Sequence, residues 1–214
     1  MEETTTLLSE EEKDILQEIM NIAFGQAAAD LAEIINIYVV LNVPYIQVLR
    51  AIDMPEYLHN ELAGHEVISM VEQHFWGDFK GSAYLIFPSG AGKELVSIMG
   101  EGVGESGFDS ASFDGMEKET LMEVGNILIG ACVGKVAELL DDRVTYSPPR
   151  VAIENFAIKS IPAEIFDLHS SAIVLKTVFN FNERDVSGFL FLVTKQDSIN
   201  WLKNSLVTFM EKYE

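Results

Sequence analysis

A short polar pattern occurs twice in this chain, at nearly the same place in each half. The pattern is Glu, Asn and Gly at fixed spacing, and every member recurs 105 positions later. The two copies consist of Glu18, Asn21 and Gly25, and of Glu123, Asn126 and Gly130. Such a spacing arises by chance at roughly 0.0002 per start position. Two copies in phase therefore indicate a tandem duplication that carries two equivalent polar sites.

Apolar segments of the two halves also resemble each other. Residues 67–75 are similar to residues 173–181, and residues 81–87 are similar to residues 188–193. These runs are short, rich in β-branched or aromatic residues and bounded by turn residues, which predicts strands. The helical patterns that end the two halves run over residues 93–99 and 198–210. The order helix, one or two strands, two further strands and helix is therefore predicted twice.

The predicted domain organisation is a single α+β domain over residues 1–214. It consists of two repeats, about 9–99 and 115–212, joined by a linker at 100–114 that is rich in Gly and acidic residues. Each half has three or four strands whose edges need partners. We therefore expect one antiparallel sheet with pseudo-two-fold symmetry and two long helices that carry the polar sites.

Charge and hydropathy exclude several classes of partner. The net charge of -20, from 34 acidic and 14 basic residues, repels phosphate backbones and anionic lipid, so we expect no nucleic acid partner. The same charge suits a partner with exposed basic groups. The chain has no run of about 18 uninterrupted apolar residues, so no membrane association is predicted. Acidic residues near Met1 replace the basic segment of a signal peptide, and a cytoplasmic location is expected.

The residues that usually bind metals or phosphates do not form a recognisable site. The histidines, none at metal-ligand spacing, are His59, His65, His74 and His169. Cys132 lies in an apolar helical run and is expected to be a small buried side chain. Three alternating glycines in 100–104 lack the Lys-Ser/Thr of a phosphate-binding loop. We therefore predict no metal site and no cofactor of the chain's own.

The repeated pattern lies on one face of each predicted helix. At 100° per residue, one stripe of the first helix, about 100° wide, consists of Asp14, Gln17, Glu18, Asn21, Gly25 and Ala28. The opposite, apolar side consists of Leu16, Ile19, Met20, Ala23 and Ala27. The equivalent stripe of the second helix consists of Glu119, Met122, Glu123, Asn126, Gly130 and Val133. Ser9 and Glu12 form a capping box that starts the first helix well before its stripe.

Glycine inside a helix costs about 1 kcal/mol relative to alanine. Gly25 and Gly130 therefore imply that another backbone or a ligand comes close to both helices. An alternative interpretation is that the Glu and Asn side chains only solvate exposed helices, and that the glycines relieve crowding where the two helices cross. Retention of the three residues at identical offsets, while the apolar positions around them differ, favours a functional pair of sites.

These residues resemble the motif Asp/Ser-x3-Glu-x2-Asn-x21-Pro of the CheC, CheX and FliY phosphatases of chemotaxis, and the CheC type most closely. In the first copy, Asp14 leads the motif and Pro44 follows Asn21 after 22 residues. In the second copy, Glu119 replaces the leading Asp or Ser, and Pro148 follows Asn126 after 21 residues. The resemblance extends over nearly the whole chain.

The resemblance implies an α+β fold with paired central helices and removal of the phosphoryl group from the aspartyl phosphate of a CheY-like receiver domain. The receiver supplies Mg²⁺ and a Lys, so the phosphatase only has to place a water in line with phosphorus. Asn21 and Asn126 are implied to orient that water, and Glu18 and Glu123 to pair with the receiver's Lys. The implied partner-binding residues are Asp14, Gly25, Glu119 and Gly130.

Some members of this family also bind the deamidase CheD. A second hypothesis is therefore a non-catalytic adaptor that docks receiver domains or CheD through the same acidic helices.

Overall fold

Apart from one additional helix, the helices and strands follow one another in the order that the sequence predicts. The computed structural model describes residues 8–35, 38–42, 44–65, 67–99, 110–157, 171–181 and 186–213. The helices within these ranges are α1 (Glu10–Ile35), α2 (Met54–Glu61), α3 (Ala91–Met99), α4 (Ser110–Leu139) and α5 (Gln196–Tyr213). The strands are β1 (Val39–Leu41), β2 (Tyr45–Arg50), β3 (Val67–Trp76), β4 (Gly81–Pro88), β5 (Thr145–Tyr146), β6 (Arg150–Ala157), β7 (Ser171–Phe181) and β8 (Val186–Lys195). The predicted α+β class is confirmed.

All of the described strands belong to one antiparallel sheet. Its order is β1-β7-β8-β4-β3-β5, with β2 also paired to β7 and β6 also paired to β3. In the centre, β4 of the first half pairs with β8 of the second. At one end β1 and β2 pair with β7, and at the other end β5 and β6 pair with β3. Each half of the chain therefore completes the sheet edge of the other half.

The two ends of the sheet have matching hydrogen bonds. The Asn42 amide donates to the Val178 carbonyl at 3.0 Å, and the Ser147 amide donates to the His74 carbonyl at 2.9 Å. Asn42 and Ser147 are 105 positions apart, whereas His74 and Val178 are 104 apart. Because the two hydrogen bonds are equivalent, His74 of β3 corresponds to Val178 of β7. The sequence alignment of 67–75 with 173–181 has an offset of 106 and is therefore shifted by two residues from this structural match. Two residues are one full period of a strand, so both alignments place the same kinds of residue on each face.

The structure pairs the prolines of the two halves differently from the sequence motif, which pairs Pro44 with Pro148. Pro44 directly precedes Tyr45, the first residue of β2, and Pro149 directly precedes Arg150, the first residue of β6. Pro149, and not Pro148, is therefore the structural counterpart of Pro44. With this match, 22 residues separate Asn from Pro in both halves.

Both faces of the sheet are covered. Leu85 of β4 faces a large core shared with α1, α4 and α5, whereas Ile86 beside it faces a smaller core under α2. Helix α2 was not predicted, although Pro55 at its start is a common residue for the first turn of a helix. Burial on both faces explains why the strand segments read as continuous apolar runs instead of alternating ones.

Helix α4 begins earlier than predicted. It starts at Ser110 and therefore contains residues 110–114, the last five residues of the linker predicted at 100–114. The rest of that linker, 100–109, lies outside the described residues, as do the alternating glycines of 100–104. Within the described ranges, one helical segment, Gly115–Leu139, is long and apolar enough to cross a membrane by length and composition alone. Half of its most apolar window is buried in the protein, as in the core helices of soluble folds.

Candidate functional site

The start of α1 is fixed by the predicted capping box. The Glu12 amide donates to Ser9 Oγ at 3.1 Å, and the Ser9 amide donates to the Glu12 carboxylate at 2.7 Å. Lys203 of α5 lies 3.0 Å from the same carboxylate. Burial raises the pKa of Glu12, but the Ser9 hydrogen bonds and Lys203 outweigh it and hold the pKa below its usual value. These contacts fix the start of α1 on α5.

The orientation of α1 agrees with its predicted periodicity. The apolar side is buried in the large core at all five predicted positions, Leu16, Ile19, Met20, Ala23 and Ala27. In the predicted stripe Gln17 and Ala28 are half-buried, and the other four positions, Asp14, Glu18, Asn21 and Gly25, are exposed. We call these four residues the first stripe.

Helix α4 packs against α1 and carries the second stripe, which consists of Glu119, Glu123, Asn126 and Gly130. The first three residues are exposed and Gly130 is half-buried. The other two residues predicted on this face are not exposed, because Met122 is half-buried and Val133 lies in the large core. Lys135 of α4 lies 3.0 Å from the Asp30 carboxylate of α1 and links the two helices. The structure therefore presents one stripe on each of two neighbouring helices.

The glycines of both stripes border open space. A Cβ built on Gly25 or Gly130 meets nothing within 4 Å, so neither residue relieves crowding between the crossing helices. The part of the alternative interpretation that concerns the glycines is therefore wrong. The crowded glycine of α4 is Gly125, where a Cβ would lie 2.7 Å from Val71 of β3. Because no described atom lies near the Cβ position of Gly25 or Gly130, a partner can occupy that space.

Because Gly25 and Gly130 border open space, alanine at these positions is expected to increase stability but to weaken partner binding. Gly25→Ala and Gly130→Ala should each raise the free energy of unfolding by about 1 kcal/mol, because alanine is the better helix former and the methyl group meets no neighbour. Denaturant melts would measure this gain. If a partner's backbone rests on these positions, the same variants should weaken its binding. Stabilised variants with unchanged partner affinity would show that the glycines serve no contact.

The second stripe receives a hydrogen bond from the sheet. Gln73 Nε2 of β3 donates to Asn126 Oδ1 at 2.7 Å and to the Ser147 carbonyl at 2.9 Å. The Gln73 side chain is buried, with only 1% of its surface exposed. Gln73 Oε1 is buried and has no hydrogen-bond partner among the described residues. The amide of Asn126 is thus attached to a rigid strand.

The first stripe has a different neighbour at the corresponding place. Since Val178 matches His74, Thr177 of β7 matches Gln73. Thr177 Oγ1 donates to the Asn42 carbonyl at 2.5 Å, just as Gln73 donates to the Ser147 carbonyl. Thr177 Oγ1 also lies 3.5 Å from the Val178 carbonyl of its own strand, and no hydrogen bond to Asn21 is present among the described residues. The two stripes are therefore matched in sequence but not in their support.

Sequence reasoning missed Gln73 and its neighbours. Glu72 beside it is also buried, and Arg150 Nε donates to its carboxylate at 2.6 Å. Tyr146 contributes a weaker contact, in which its hydroxyl donates to the Gly130 carbonyl at 3.3 Å. The polar run Glu72, Gln73 and His74 inside a largely apolar strand segment was the signal that could have identified this support.

The remaining candidate groups lie away from the stripes or outside the described residues. Cys132 is buried, and burial raises the pKa of its thiol to about 12, as expected for an unreactive core residue. Within the described ranges no three His, Cys, Asp or Glu side chains are grouped as metal ligands. His169 lies outside those ranges. A cleft of about 300 Å³ between His65, the start of α3 and Ser187 does not include any stripe residue.

Comparison with known proteins gives matches in sequence. A family model described as the CheC-like family matches residues 11–46, which contain the first stripe and Pro44. A Bacillus subtilis protein named CheY-P phosphatase CheC is 26% identical over 202 residues, covering 91% of this chain and 93% of that protein. The Bacillus subtilis flagellar motor switch phosphatase FliY is 25% identical over 146 residues. That match covers 68% of this chain but 36% of FliY.

The fold also has a close match among solved structures. The crystal structure of Thermotoga maritima FliY superposes with a TM-score of 0.67 at 20% identity, covering 94% of this chain and 98% of that one. At this identity the match establishes the fold alone. The resemblance that the motifs predict is confirmed: over nearly its whole length the chain is similar in sequence to a CheC-type phosphatase and shares the helix and sheet fold of FliY.

Proposed function

We propose that this protein dephosphorylates the aspartyl phosphate of a CheY-like receiver domain, using the first and second stripes as its two sites. The observation that carries the proposal is the exposure of Glu18, Asn21, Glu123 and Asn126 beside two glycines that border open space. Similarity to a named CheY-P phosphatase supports the reaction class.

The proposed reaction requires the phosphatase only to position the attacking water. An aspartyl phosphate is an activated acyl phosphate, and the receiver's Mg²⁺ and Lys neutralise its charge. The oxygen of a water bonds to phosphorus while the bond between phosphorus and the aspartyl oxygen breaks. The water's proton leaves with the phosphate product. Asn21 and Asn126 are poor bases, so their proposed role is to hold the water in line by hydrogen bonding.

The acidic members of the stripes have a binding role in this proposal. Glu18 and Glu123 lie one helical turn before each Asn and are exposed, so a Lys of the receiver could reach them. Asp14 and Glu119 extend each stripe by one more turn and would contact the receiver's surface. Gly25 and Gly130 would let a receiver loop approach the helix axis. We place this reaction in the cytoplasm.

The test is phosphate release from a receiver that has been phosphorylated with a small phosphodonor. Addition of this protein should accelerate release in the presence of Mg²⁺, and chelation should abolish the acceleration because the receiver loses its metal. Metal analysis of the isolated chain is the control. A chain that retains stoichiometric zinc after chelation, and needs it for turnover, contradicts the mechanism. Tight binding of the receiver or of CheD without faster release indicates the adaptor function instead.

A further inference from the structure

We propose that Gln73 is a positioning residue for Asn126 and that it makes the second stripe the more active of the two sites. This inference rests on the proposed phosphatase function. It adds a residue from β3, outside both motifs, and it distinguishes two sites that are identical in their Glu, Asn and Gly residues.

The direction of the Gln73 hydrogen bonds follows from chemistry. The Ser147 carbonyl can only accept, so the group that faces it at 2.9 Å must be the Gln73 NH₂. The same NH₂ lies 2.7 Å from the Asn126 amide, which must therefore present its oxygen. The orientation of the Asn126 amide is thus fixed, with Oδ1 toward the sheet and Nδ2 on the other side of the amide.

Burial makes this support rigid. Gln73 lies on a strand paired with β4, β5 and β6, and both amide hydrogens of its NH₂ have acceptors. The unpartnered, buried Oε1 is a cost, since an unsatisfied buried acceptor destabilises a protein by about 1–3 kcal/mol. A threonine makes the corresponding link to the turn at position 177 without that cost. The arrangement is therefore better explained by the orientation of Asn126 than by stability.

The first stripe provides an internal comparison. Thr177 occupies the place of Gln73 and binds the Asn42 carbonyl, so the link between strand and turn is kept in both halves. What is missing is the second hydrogen bond to the stripe. A preorganised amide loses less freedom on reaching the transition state than one that must first be ordered. The second stripe should consequently have the higher turnover number.

The experiment isolates each stripe before testing its support. In an Asn21→Ala background only the second stripe operates, and there Gln73→Met should lower kcat for phosphate release about tenfold while KM changes less than about twofold. Methionine keeps the length of glutamine but removes its donors. Gln73→Asn keeps a polar amide but is one methylene too short to span both acceptors, so it should have the same effect on kcat.

The matched control is Thr177→Val in an Asn126→Ala background, where only the first stripe operates. This variant removes the corresponding bond to a turn carbonyl, and it should leave the kcat of the first stripe within about twofold. Gln73→Met should have an equally small effect in that background. Side-chain amide resonances of Asn126 provide a readout that needs no activity, and they should shift when Gln73 is replaced.

Each outcome has a distinct meaning. Equal losses of kcat from Gln73→Met in both backgrounds would reveal a general structural effect and overturn the inference. An unchanged kcat in the Asn21→Ala background, or unchanged Asn126 resonances, would also overturn it. If the wild-type protein does not accelerate phosphate release at all, the proposed function fails, and that result is seen before any Gln73 variant is measured.

Discussion

Replacing both Asn21 and Asn126 with alanine is expected to slow phosphate release from a phosphorylated receiver by about 10²-fold or more. This is the scale seen when one preorganised hydrogen-bonding group is removed from a transition state. Each single variant should keep part of the activity, because the other stripe is intact. We expect Asn126→Ala to cost more than Asn21→Ala, since only Asn126 is held by Gln73. Steady-state assays on the four proteins would measure these differences.

The stability of these variants should change little, so the loss can be assigned to chemistry. Truncations on an exposed helix face usually change the free energy of unfolding by less than about 0.5 kcal/mol. Asn126→Ala also removes an acceptor of Gln73 and can cost about 1 kcal/mol. Gln26→Ala is the control, because Gln26 is an exposed amide of α1 turned about 140° from Asn21. A folded double variant with wild-type turnover would show that both stripes are structural.

The largest loss of stability is expected at two glycines in the centre of the sheet. Phe75 lies opposite Gly81 across β3 and β4, and Phe179 lies opposite Gly188 across β7 and β8. A Cβ on Gly81 would overlap the Val193 carbonyl oxygen. A Cβ on Gly188 would likewise overlap a backbone carbonyl oxygen, that of Ile86, and also the ring of Phe179. A ring can turn away, but a carbonyl in a paired strand is held by the sheet.

We therefore expect Gly188→Ala to lower the free energy of unfolding by at least about 3 kcal/mol, at the upper end of overpacking effects. For a chain of this size, that corresponds to a fall in Tm of about 6–12 °C. Gly130→Ala introduces the same methyl group into open space and should shift the Tm upward. Calorimetry on the pair gives the comparison. A Gly188→Ala protein as stable as Gly130→Ala would mean that the two strands can separate without cost.

Periodicity predicted the features that depend on a single element. The 100° rotation per residue identified which side of α1 is buried, and the Ser9 and Glu12 capping box placed its start. Apolar runs of β-branched and aromatic residues located the longer strands. In each case the physical cause is local, so a short window of sequence contains it.

Features that depend on pairing were not predictable in the same way. A shift of two residues leaves the face pattern of a strand intact, so the sequence could not distinguish offsets of 104 and 106 between β3 and β7. The proline match failed for a related reason. Pro148 and Pro149 are adjacent in sequence, and only the start of β6 shows that Pro149 corresponds to Pro44. Gln73 was missed because its contact with Asn126 spans 53 positions and depends on that register.

The exchange of strands between the halves affects how the chain can change over evolutionary time. Residue 46 pairs with residue 175, and residue 71 pairs with residue 151, so the sheet closes only after most of the chain is available. Contacts this distant in sequence favour slow folding and a single cooperative unit. After a mutation that inactivates the stripe of one half, the strands of that half are still needed to complete the sheet of the other half. The stripe of one half can therefore change while its scaffold is retained, which allows the two halves to diverge without separating into independent proteins.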